Sequence, residues 1–144
     1  MTPSPTSSPA VLQLRLVVET DDFDGALRFY RDALGLTEQA AYEGEGDARV
    51  VILDAGRATL ELVNAAQRRM IDQIEVGHDA SPRLRVAFEV PDCRAATVAL
   101  STAGATVIGD PVETPWRSLN ARLEAPAGLQ LTLFEELGAQ PVEA

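Results

Sequence analysis

Apolar and polar side chains alternate along VLQLRLVVE, residues 11–19. That period of two predicts a β-strand. The period then lengthens. Phe23, Ala26, Leu27, Tyr30 and Leu34 recur at helical intervals, Asp21 or Asp22 stands where an N-cap belongs, and Gly35 supplies the stop. Strands are predicted next over 36–43, 48–54 and 57–63, with the turn DAG at 54–56 between the last two. A second helix is predicted over 64–77. Asn64 caps it, Gly77 ends it, and Ala66, Met70, Ile71 and Ile74 form its apolar stripe.

The same pattern then begins again. RLRVAFEV, residues 83–90, predicts a strand, and a helix capped by Asp92 follows it. Cys93, Ala96, Leu100 and Ala103 form the inward face of that helix, and Gly104 ends it. Further strands are predicted at 105–109, 116–124 and 128–134, with the turn APAG at 125–128 before the last. The offsets are steady: Arg15 to Arg85 is 70 residues, Asp21 to Asp92 is 71, and TLELV at 59–63 to QLTLF at 130–134 is 71. One long period occurring twice means a duplicated supersecondary unit, here βαβββ, rather than a solenoid. The predicted organisation is a single domain over 11–135. Module one spans 11–63, the linker helix 64–77 and module two 83–135, between a disordered tail at 1–10 and a loose one at 136–144.

Composition narrows the function classes. A chain of 144 residues, 46% apolar and 24% charged, is the size and make-up of one soluble globular domain. No apolar run approaches a membrane span, and MTPSPTSSPA lacks the basic and apolar regions of a secretory signal. The single cysteine, Cys93, allows no internal disulfide, which fits a reducing cytoplasm, and its place on an apolar helix face predicts a packed thiol. The net charge of −10 argues against nucleic acid as partner and is compatible with cationic ligands. All twelve basic residues are arginine, so no lysine is present for a Schiff base or a phosphate-binding loop. The one histidine, His78, falls in the loop between modules and is expected to be solvated. The sequence has no Ser–His–Asp or Cys–His arrangement.

Two βαβββ units, with ALRFYRDALGL in the first helix, LRVAFEVPD opening the second module and EAPAGLQLTLFE closing it, resemble the vicinal oxygen chelate superfamily of glyoxalases, bleomycin-resistance proteins and extradiol dioxygenases. The resemblance covers about 11–135. It implies an α+β fold in which the two modules form a curved, partly open mixed sheet around a cleft, with helices outside. Strand alternation assigns the faces. The apolar sets, such as Leu84, Val86, Phe88 and Val90, lie under the helices. The polar sets, with Arg15, Glu61, Arg85, Gln130, Thr132 and Phe134 among them, then line the cleft.

Metal-dependent members carry ligands on the first, fourth, fifth and eighth strands. Carried onto this chain, those positions are Arg15, Glu61, Arg85 and Thr132. Of the four, only Glu61 suits a divalent metal, because arginine stays protonated and has no lone pair to give. No metal and no cofactor is expected. Two roles fit the arginines: pairing with Glu61, Glu19 or Glu89 in an ionic network that fills the old metal cavity, or a fork for a carboxylate, phosphate or phenolate on a ligand. Trp116 and Tyr42 offer stacking surfaces at the cleft, Phe134 and Met70 apolar wall, and Glu61 a possible base.

The resemblance, read with these substitutions, implies a metal-independent, homodimeric protein of the bleomycin-resistance type. Such a protein would sequester an aromatic or cationic metabolite or antibiotic. The rival is a glyoxalase-like metal-dependent lyase, isomerase or dioxygenase using Glu61 and an atypical ligand set. A third reading is an interaction module whose cleft is filled by an Arg15–Glu61–Arg85 network.

Overall fold

The structure is a computed structural model, and it describes residues 13, 15–59, 61 and 63–138. The predicted tail at 1–10, and 139–144 of the other, lie outside the described residues. The fold is α+β with two open sheets. Helix α1 (Phe23–Leu27) runs on into a π-helical turn over Arg28–Ala33. Strands β1 (Glu38–Glu43) and β2 (Arg49–Leu53) form an antiparallel hairpin. Helix α2 (Ala65–Glu75) links the halves. Module two then supplies β3 (Val86–Glu89), α3 (Cys93–Thr102), β4 (Thr106–Glu113), β5 (Ser118–Ala125) and β6 (Leu129–Glu136).

The predicted caps form. Asp22, rather than Asp21, begins α1, its carboxylate accepting from the Gly25 N–H at 3.0 Å. Asn64 and Asp92 do the same for α2 and α3, accepting from Gln67 and Ala95, also at 3.0 Å. With Asp22 as the cap, the offset to Asp92 becomes 70, the same as between the arginines. The chain leaves the first helix at Gly35, whose φ of +92° is readily adopted only without a Cβ.

Module two is complete. Its sheet order is β3–β6–β5–β4, with β3 parallel to β6 and the other pairs antiparallel. Leu119, Ala121, Leu123, Leu131 and Leu133 cover one face and pack with Cys93 and Leu100 of α3 and with Phe29 of the first helix. Cys93 is fully buried here, and burial pushes its thiol pKa up. Tyr30 sits edge-on to Phe29 and donates to the Pro126 carbonyl at 2.6 Å, and burial raises its phenol to about 12. Strand β4 runs past the predicted 109 to Glu113. It accommodates Pro111 through a register shift between Gly109 and Val112, where the ladder needs no proline N–H.

Module one differs from the prediction. Its central hairpin is present, but the described residues of 11–19 and 57–63 belong to no strand. Positions 11, 12, 14, 60 and 62 lie outside the described residues. A hairpin needs only a short loop, whereas parallel pairing of two segments 40 or more residues apart must be repaid by cover on both faces. Val17, in the first of these segments, is 90% exposed. Among the described residues, no helix is long and apolar enough to cross a membrane.

Candidate functional site

The second face of the module-two sheet carries Ser118, Asn120, Arg122 and Glu124 from β5 and Gln130, Thr132 and Phe134 from β6, the alternate positions to the leucine core. Helix α2 lies over the β4–β5 side of this face. It docks by an edge that joins part of the apolar stripe to two acidic groups: Ile71, Asp72 and Glu75 are buried and Ile74 is half-buried, while Met70, predicted as cleft wall, is exposed.

The reason is Arg122, which is 0% exposed. Its Nη2 and Nε donate to Glu75 Oε1 at 2.9 and 3.2 Å, and its Nη1 reaches Asp72 Oδ1 at 2.9 Å and Gln130 Oε1 at 2.9 Å. Asn120 Nδ2 donates to the other oxygen of Glu75 at 2.9 Å. The backbone N–H groups of Ala80 and Ser81 donate to Asp72 Oδ2 at 3.0 and 2.9 Å, and the Ser81 hydroxyl donates to Oδ1. Burial opposes ionisation of Asp72. These donors, with the Ser81 hydroxyl first among them, outweigh it and hold the carboxyl well below the usual carboxylate range. Gly109 of β4 makes room for the helix end: a Cβ there would stand 2.2 Å from the Glu75 carbonyl oxygen.

Arg85 sits just before β3, half-buried, at the side of the face that α2 leaves open. The register sets Ala87 opposite Thr132, and Arg85 Nη1 donates to the buried Thr132 hydroxyl. Phe134 is half-buried next along β6, and Ala87 and Glu89 are exposed on β3.

Of the seven residues singled out in the sequence, the structure joins Arg85 to Thr132, with Phe134 beside them. Arg15 is exposed and donates to Gln13 at 3.1 Å. Glu61 is exposed, near enough for its charge to favour the protonated Arg85, but no hydrogen bond joins them among the described residues. Tyr42, 62% exposed, lies on the separate hairpin. Trp116, 47% exposed, lies in the turn before β5. Ser118 pairs with Glu136, four residues along β6 from Thr132, so that turn is roughly 13 Å away. The expected Arg15–Glu61–Arg85 network does not form among the described residues. A different network, around Arg122, occupies the part of this face beneath α2.

Sequence reasoning missed Arg122, Asp72 and Glu75. The alternation of SLNARLEA, residues 118–125, already puts Arg122 on the face of Gln130 and Thr132. The spacing of Arg68, Asp72 and Glu75 puts one basic and two acidic groups on one helix edge. Their pairing spans 47 to 50 positions, and no local pattern reports it.

The four positions carried over from metal-dependent proteins do not fit a divalent cation. A guanidinium bonded to a hydroxyl holds two of them, and among the described residues no group of three or more His, Cys, Asp or Glu is placed to hold a metal.

The Glyoxalase-like domain family matches residues 15–134. No curated protein matches the chain. A member of the glyoxalase/bleomycin resistance protein/dioxygenase superfamily from Sphaerobacter thermophilus is 22% identical over 83% of this chain and 92% of its own, with a TM-score of 0.55. TioX from a Micromonospora species is 21% identical over 90% and 100%, with a TM-score of 0.53. A glyoxalase-related enzyme from Fulvimarina pelagi is 14% identical over 93% and 100%, also at 0.53. At these identities the likenesses bear on the fold alone. With 15–134 matched and the βαβββ order complete in module two, the chain belongs to the glyoxalase-like domain family and so to the vicinal oxygen chelate superfamily.

Proposed function

We propose that this protein binds a small aromatic metabolite or antibiotic without a metal, in the manner of a bleomycin-resistance protein. The observation that carries the reading is the Arg85–Thr132 hydrogen bond, because it joins two of the family's ligand positions through groups that bind organic polar atoms and not cations. Beside them the sheet offers Phe134 and the exposed Ala87, a partly apolar surface outside the cover of α2. The net charge of −10 supports attraction of cations at long range. The basic group beside this open surface is Arg85, so the aromatic character of the ligand is kept in the proposal and the cationic character is not. The enzymatic alternative would draw on Glu61, which is exposed.

Trp116 is the chain's one tryptophan and lies in the turn before β5, so its fluorescence reports on the fold at that end of the sheet rather than on the site itself. Titration with 2-naphthoate and with bleomycin is expected to show saturable binding of at least one, in the micromolar range or tighter. Dissociation constants above millimolar for both would end the proposal.

A further inference from the structure

Two arginines stand on this face of the sheet, and their surroundings are opposite. Arg122 has both of its carboxylates and is saturated. Arg85 is half-buried yet has no carboxylate partner among the described residues, and its one side-chain hydrogen bond there runs from Nη1 to Thr132. That bond leaves the Nε–Nη2 edge of the guanidinium without an acceptor among the described residues. This edge presents two parallel N–H groups, the geometry that grips both oxygens of a carboxylate. Neither atom is shut away: the one buried side-chain nitrogen or oxygen lacking a partner among the described residues is Arg117 Nε. The edge therefore keeps some exposure to solvent, while the Thr132 hydroxyl holds the guanidinium at Nη1. Thr132 is itself held between Leu131 and Leu133 of the core, so the anchor is rigid.

The geometry points to Arg85, oriented by Thr132, as the receptor for a carboxylate on the ligand. The inference rests on the small-molecule-binding reading and names the group that such a ligand must carry. Burial, and then the charge of Arg122, make the Arg85 cation costly, so a counter-ion arriving at the open edge recovers that cost. Of the carboxylates close enough to act on Arg85, Glu75 and Asp72 are bonded to Arg122. Glu61 is the remaining one, exposed and on a segment outside the sheets, and it stands as the internal competitor for the same edge.

The test compares three probes of one shape and different charge: 2-naphthoate, 2-naphthalenemethanol and 2-naphthylmethylammonium. Binding is followed at the arginine Nε–Hε resonances of the 15N-labelled full chain, with Arg85 assigned by its loss in Arg85→Gln. The naphthoate is expected to shift the Arg85 signal saturably and to bind about tenfold or more tighter than the other two. Arg85→Gln should lose that preference. Arg85→Lys, which keeps the charge but not the fork, should retain only part of it. Glu61→Gln should tighten naphthoate binding several-fold by removing the competitor. Equal binding of all three probes, unchanged in Arg85→Gln, would overturn the carboxylate assignment and leave the binding reading standing. Naphthyl phosphate binding tenfold tighter than naphthoate would also overturn it. Saturation by none of them would end both the assignment and the reading.

Discussion

Arg122 and Arg85 show how far the surroundings of one residue type decide its role. Arg122 is wholly buried and would be intolerable without Asp72 and Glu75, because an isolated ion in the interior costs far more than its packing returns. Removing one partner of such a set is expensive, since it strands the others. Asp72→Asn is expected to lower the unfolding free energy at neutral pH by about 3 kcal/mol or more. The carboxyl of Asp72 titrates lower in the folded chain than in the unfolded one. Its contribution is therefore complete above about pH 4 and is lost as pH falls below that, toward the folded value. Urea unfolding of both proteins from pH 7 downward checks this. The gap between them should shrink below about pH 4, and a gap under about 1 kcal/mol at neutral pH would contradict the role given to the pair.

Among the elements, α2 is the one whose place decides what the cleft can be. Its ends were legible: Asn64 and Gly77 announce them, and the structure agrees. Its buried face was legible in part. Apolar periodicity picks out Ala66, Met70, Ile71 and Ile74, of which Ile71 is buried and Ile74 half-buried, but the helix also turns Asp72 and Glu75 inward, toward an arginine 47 to 50 positions away. Docking also depends on what is missing at Gly109. A methyl there would press on the Glu75 carbonyl oxygen, so Gly109→Ala is expected to push the end of α2 off the sheet. The expected cost is about 1–3 kcal/mol. Hydrogen exchange should quicken in the α2 amides while those pairing β5 with β6 keep their protection. Unchanged exchange in α2 would mean that the helix is not seated through this contact.

At the scale of the whole molecule, the duplication was readable because its markers are local: caps, glycine stops, and alternating strands at a constant offset. Module two followed that reading element for element. Module one kept its helix and hairpin but left the described residues of 15–20 and 57–63 outside any sheet. Strand alternation says which side chains share a face, but the occupant of that face is settled by long-range competition. Here α2, through Asp72, Glu75 and Arg122, occupies the β4–β5 side of that face. The site was legible to the same degree. Arg85 and Thr132 were named from sequence and meet, while Arg15, Tyr42 and Trp116 lie elsewhere. The central claim is that the family's metal positions have become an organic-ligand site. It is tested most directly by metal analysis of protein purified without chelator, followed by naphthoate titration before and after exhaustive chelation. Substoichiometric Ni, Zn, Mn and Fe, with an affinity unchanged by chelation, is the expected result. A stoichiometric metal that is lost in Glu61→Gln, and whose removal abolishes binding, would contradict it.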